Sequence, residues 1–70
     1  MKINSIKMKL LSAEKGLTVK ALADRAGLSP GTVVKARAGK EVTEKALVRI
    51  ADALEVDALE LLEASGKETG

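Results

Sequence analysis

Seventy residues without cysteine, histidine or any aromatic side chain, at a formal net charge of +2, describe one small domain near the lower limit for folding without cross-links. The absences exclude disulfides and thiolate or imidazole metal sites, remove the commonest general base, and rule out base stacking on aromatic platforms. The modest net charge conceals a split: residues 1–40 carry nine Lys or Arg against two acids, a net +7, and residues 41–70 carry three against eight, a net −5.

Helical periodicity runs through the chain, with no strand-like alternation to compete. The first helix is expected over about Ile3–Lys15, stopped by Gly16. Its apolar residues form two groups on the wheel: Ile3, Ile6, Leu10 and Ala13, then Met8 and Leu11. That is wider than one core stripe requires, and the surplus is a candidate contact with a second copy of the chain. A second helix follows the N-cap Thr18, buries Val19, Leu22, Ala23 and Ala26 at i, i+3, i+4 and i+7, and ends at Gly27. Ser29 caps the third, with Pro30 at its first position, where a missing N–H costs nothing. This helix spans about Pro30–Arg37, with Val33 and Ala36 inward and Ala38-Gly39 as its stop. The fourth starts from the cap Thr43 and shows the most regular apolar face: Ala46, Leu47, Ile50, Ala51 and Leu54. The fifth opens at Asp57, with Glu60 in capping-box spacing. Ala58, Leu59 and Leu62 are expected to point inward and Leu61 elsewhere. The expected organisation is one domain over residues 1–64 and a flexible tail over 65–70.

No apolar run approaches the roughly 18 residues of a membrane span. The start, MKINSIKMKLL, is broken by Lys7 and Lys9 and lacks the apolar block of a signal peptide. A soluble cytoplasmic protein without a membrane partner is expected. The charge split suits a basic face for a polyanion with an acidic face turned away, and it equally suits the solvated helix faces of any soluble domain.

Helices two and three are joined by about three residues built around a glycine, which is helix-turn-helix geometry. Ala23 stands where the two would cross, Gly27 supplies the positive φ, and Leu28 and Val33 close the core between them. The wider pattern is Glu14-Lys15-Gly16-Leu17-Thr18, Leu22-Ala23, Gly27-Leu28-Ser29, Thr32-Val33, Gly39-Lys40 and Leu47 through Val56. It resembles the Cro/repressor (Xre-type) family of DNA-binding domains over about residues 6–62. The resemblance implies an all-α, compact five-helix, lambda-repressor-like domain. Such a domain lays its third helix in the major groove of double-stranded DNA, usually as a homodimer on a two-fold symmetric site.

Carried onto this sequence, the resemblance puts Pro30, Gly31, Val34 and Lys35 at base-reading positions. Lys35 offers a donor to guanine and Val34 an apolar contact for a thymine methyl; Pro30 and Gly31 offer close backbone approach only. Thr18, Lys20, Ser29, Thr32, Arg37 and Lys40 are candidate phosphate contacts, and the same residues serve as well as caps or solvated surface groups. Ile3, Ile6, Leu10 and Leu61 are candidate dimer contacts, with core packing as the other reading of each. Two positions depart from the family. Val19 replaces a common glutamine that bridges a phosphate and the third helix, and Ala36-Arg37 replaces a bulky residue followed by an acid.

The expected function is DNA binding by a transcriptional regulator, acting as a repressor, with no cofactor, metal or small-molecule ligand. The alternative is a protein-interaction module on the same fold, antitoxin-like, with weak or lost DNA binding. Val19, Pro30, Gly31 and Val34 favour that alternative, because they make the third helix's surface more apolar. An enzyme is not expected, since the carboxylates show no convergent set.

Overall fold

Every helix among the described residues begins at a polar residue that hydrogen-bonds its own first turn. In the computed structural model, which describes residues 1–62, the helices are α1 Ser5–Glu14, α2 Val19–Ala26, α3 Pro30–Arg37, α4 Glu44–Leu54 and α5 Ala58–Leu61. Their caps are Asn4, Thr18, Ser29, Thr43 and Asp57, each with extended backbone and a side-chain oxygen accepting from an amide two or three residues on. A cap of this kind stabilises a helix by about 1 kcal/mol, a large share of what so short a helix needs. The expected tail 65–70, and residues 63 and 64 of the expected domain, lie outside the described residues.

The expected start of the first helix at Ile3 is corrected. Asn4 is the cap, and residues 2 and 3 are extended. Lys2 pairs antiparallel with Glu41, and Ile3 with Leu62. Val42 N–H donates to the Met1 carbonyl at 2.7 Å, and Asn4 N–H donates to the Leu61 carbonyl at 2.7 Å. The first residues therefore tie the loop before α4 to the end of α5.

The all-α architecture puts α2 against both α3 and α4, α5 on α4, and α1 against α3. Ile3, Met8, Leu22, Val33, Ile50, Leu54 and Leu61 are its fully buried large side chains, joined by Ala23, Ala36 and Ala51 where helices meet closely. The α3 face is the one the sequence predicts; α2 buries Leu22, Ala23 and Ala26 but leaves Val19 half-buried, and α4 adds Ala53. On α1 the buried stripe is Met8 with Ser12, while Ile6 at 68% and Leu10 at 61% form the exposed surplus. The buried pair is one turn apart, but a serine at a core position hides that stripe from an apolar-residue count.

The phase of α5 is corrected as well. Leu61 is fully buried and Leu59 is 75% exposed, the reverse of expectation. With only four residues, α5 takes its orientation from what its ends are tied to. Asp57 holds the Leu59 amide, and the Leu61 carbonyl is held by Asn4. Glu60 does not complete a capping box. It lies on Lys7 of α1 instead, with Lys7 Nζ 3.6 Å from its carboxylate and 3.1 Å from its carbonyl.

Candidate nucleic-acid interface

The α2–α3 corner is built from one residue that tolerates φ > 0 and small residues at the crossing. Gly27 sits at φ 71°, and its N–H and that of Leu28 close the end of α2 onto Asp24 and Ala23. Ala23 and Ala26 are buried, so the helices approach closely, and Val33 fills the space between them. Arg49 of α4 reaches over the corner, with its guanidinium 3.5 Å from the Ala26 carbonyl. This cation at a helix C-terminus was not foreseen from the sequence.

The outer surface of α3 is open. Pro30, Gly31, Val34 and Lys35 are all exposed, Val34 at 52%. Thr32 is half-buried, and its hydroxyl lies 3.0 Å from that of Ser29, which also accepts from the Thr32 amide at 3.3 Å. Thr18 is exposed and accepts from the Ala21 amide at 3.1 Å. Both caps thus spend one lone pair on their helices and keep a hydroxyl at the surface, beside N–H groups that favour an anion.

Two clefts flank α3. One, of about 370 Å³, lies between α3 and the start of α4, and its lining includes Leu28, Thr32, Lys35, Glu41, Thr43 and Lys45. The other, of about 330 Å³, is lined by Lys9, Val19, Val34, Arg37 and Ala38. Helix α3 is therefore a ridge with a cation-bearing trough on either side. A void of only about 10 Å³, with Ser12, Thr18, Val33 and Arg37 among its lining residues, has room for one water at most. Lys20 and Lys40 are exposed and line neither trough, but each adjoins in sequence a residue that does, Val19 and Glu41.

The distribution of ion pairs sorts these cations. Lys7 pairs with Glu60, while Lys15 at 3.2 Å and Arg25 at 4.0 Å converge on Glu55. Among the described residues, Lys9, Lys20, Lys35, Arg37, Lys40 and Lys45 have no acid within ion-pair distance. The acid that lines the α4-side trough, Glu41, is engaged by the N-terminal ammonium. That hydrogen bond, then the ammonium's charge and a smaller pull from Lys2, hold its carboxyl below the ordinary range.

Lys9, Thr43 and Lys45 join this surface without having been expected there. Lys45 was legible in principle, being a base in the first turn of α4 close to Lys40. Lys9 was not, because only the packing of α1 on α3 brings it beside Arg37. Of the expected dimer contacts, Ile3 and Leu61 are sealed in the core, at 1% and 0% exposure, and cannot meet a partner. Ile6 and Leu10 stay exposed.

The sequence matches the helix-turn-helix family over residues 6–61. The chain belongs to that family. Two crystal structures of the clp gene regulator ClgR from Corynebacterium glutamicum resemble this helix-turn-helix domain. One is 28% identical at a TM-score of 0.68, over 80% of this chain and 74% of that one. The other is 28% identical at a TM-score of 0.67, over 80% of this chain and 61% of that one. No curated protein matches the sequence. The Xre-type assignment and the five-helix fold expected from the sequence are thereby established, and with them the general role of the family, DNA binding in transcription regulation.

Proposed function

We infer that the domain binds double-stranded DNA with α3 in the major groove and acts as a cytoplasmic repressor by occupying its operator. The observation that carries this reading is the ridge between two cation-bearing troughs. A major groove has a phosphate backbone on each side, about 12 Å apart, and an α-helix fits between them. Lys9, Arg37 and the Thr18 cap suit one backbone; Lys45, Lys40 and the Thr43 cap suit the other. Lys35 is then the chief donor to base edges, with Pro30 and Gly31 admitting the backbone close to them. The similar ClgR structures are those of a gene regulator, which supports a regulatory role.

Direct hydrogen-bond readout from α3 is sparse, so a single copy binds weakly and a homodimer on paired half-sites is the functional unit. Ile6, Leu10 and Leu59 are its proposed contact. They are the three most exposed large apolar side chains, and the Lys7–Glu60 pair holds α5 beside the first turn of α1.

The test is fluorescence anisotropy with a labelled random duplex at low and moderate salt. Neutralising several phosphates predicts a loss of on the order of 10³-fold in affinity between about 50 and 200 mM salt. Binding that ignores salt, or none at all, favours the protein-interaction reading, for which the exposed Val34 is the supporting observation.

A further inference from the structure

Ser12 is the one polar side chain buried among the described residues, at 9% exposure. It stands on α1, which packs on α3, and no hydrogen bond reaches its hydroxyl from any described residue. Burying a hydroxyl without a partner is unfavourable. An alanine would fill the same stripe without that cost and with a better helix propensity. The void of about 10 Å³ that Ser12 lines gives the hydroxyl a use. Leu22 and Val33 form apolar walls of this void, and its polar groups come from Ser12, Thr18 and Arg37. A space near one water-sized probe holds a water only where several polar groups can bond it. Here three are at hand. The Thr18 hydroxyl accepts from the Ala21 N–H at 3.1 Å and keeps its own proton to donate. Arg37 brings a fork of N–H donors that no acid claims among the described residues. A water accepting from these two donates to the Ser12 oxygen.

We propose that this void is a single-water site, and that its water tethers Arg37 to Ser12 and Thr18 so that the guanidinium is set for a phosphate before DNA arrives. This rests on the DNA-binding reading above and says how one side of that interface is ordered. Arg37 lines both the void and the trough it shares with Lys9, so one side chain joins a buried hydroxyl to the cation-bearing surface. No ion pair among the described residues holds it there. An untethered arginine gives up its rotamer freedom on meeting a phosphate, whereas one already bonded through a water has less left to lose. Ser12 is then a positioning residue: it meets no DNA and acts through Arg37. The competing use of a helical serine is to turn its hydroxyl onto the carbonyl one turn earlier, here that of Met8. That satisfies Ser12 but leaves the three polar groups around one void without a reason.

The experiment has one arm without DNA and one with it, both on the full chain. In an atomic-resolution crystal structure of the free protein, one water should bond Ser12, Thr18 and Arg37 together. By NMR, the Arg37 Nε–H should exchange with solvent about 3- to 10-fold faster in Ser12→Ala than in the wild type. Alanine keeps the helix and the apolar walls, and circular dichroism checks the fold. With labelled random duplexes, Ser12→Ala should weaken binding about 3- to 10-fold on every sequence, read by anisotropy. In an Arg37→Ala background the same substitution should cost less than about 2-fold. A Ser12 hydroxyl turned onto Met8 with no water at Arg37, or an Arg37 N–H that exchanges alike in both proteins, overturns the proposal and leaves the DNA-binding reading standing. So does unchanged DNA affinity in Ser12→Ala, or an equal loss with and without Arg37. A bound water and a held Arg37 in a protein that takes up no duplex would keep the water site, but would remove the DNA-binding reading and the positioning role with it.

Discussion

Arg49 of α4 lies against Gly27 at the helix-turn-helix corner: a Cβ built on Gly27 would stand 3.0 Å from the guanidinium. Two effects therefore oppose a side chain at this glycine, and they differ in weight. The φ of 71° costs any alanine about 1–2 kcal/mol. The guanidinium is the far end of a flexible side chain and moves aside at little cost. Gly27→Ala should lose about 1–2 kcal/mol of stability by chemical denaturation followed at 222 nm. In an Arg49→Ala background the loss should be the same within about 0.5 kcal/mol. A much smaller loss there would mean that the contact, not the backbone, sets the requirement for glycine.

The reversed phase of α5 makes a sharp pair of substitutions. Leu61→Ala empties a fully buried site and should cost about 2–5 kcal/mol, enough to unfold much of so small a domain. Leu59→Ala touches a side chain 75% exposed and should change monomer stability by less than about 0.5 kcal/mol. Its effect should appear instead in sedimentation equilibrium, as a weaker dimer.

On DNA, Lys35→Ala should alter sequence preference, costing about 1–3 kcal/mol on sites with the preferred base and little on others. Lys40→Ala and Lys45→Ala should weaken all duplexes alike and each lower the salt slope by about one. Equal effects of all three across a panel of sites would contradict the division between base reading and phosphate contact.

Glu41 gives a pH-dependence of known sign. Its folded carboxyl titrates below the ordinary range because of the N-terminal ammonium. The pair's contribution is therefore complete above the unfolded carboxyl's pKa and fades as the pH falls through the lower folded value. The group is fully exposed, so the effect is small. Side-chain NMR should find Glu41 titrating low, and acetylating the amine should return it towards the ordinary value. No change on acetylation would show that the pairing is absent in solution.

What the sequence revealed is what local chemistry decides. Thr18, Ser29, Thr43 and Asp57 announce their helices because each cap acts on an amide two or three residues away. The α2 and α4 faces were legible because their apolar spacing is unbroken. Ile3 was misplaced because its pairing with Leu62 is a tertiary event, invisible to periodicity. Leu59 and Leu61 were exchanged because a four-residue helix has no phase of its own. The functional surface divides in the same way: the α3 residues were readable from their spacing, while Lys9 needed two helices to meet.

The pairing of Lys2 with Glu41 and of Ile3 with Leu62 bears on how the domain is made. Synthesis runs from the amino end, so Lys2 and Ile3 leave the ribosome well ahead of the residues they pair with. Ile3, 1% exposed in the finished domain, stays in water until Leu61 and Leu62 emerge. The corner of α2 and α3 can assemble early, but closing the barrel of contacts around it waits for the last turn. A nascent chain arrested short of residue 61 should present an unsealed aliphatic seam to chaperones, whereas one released a few residues later should not.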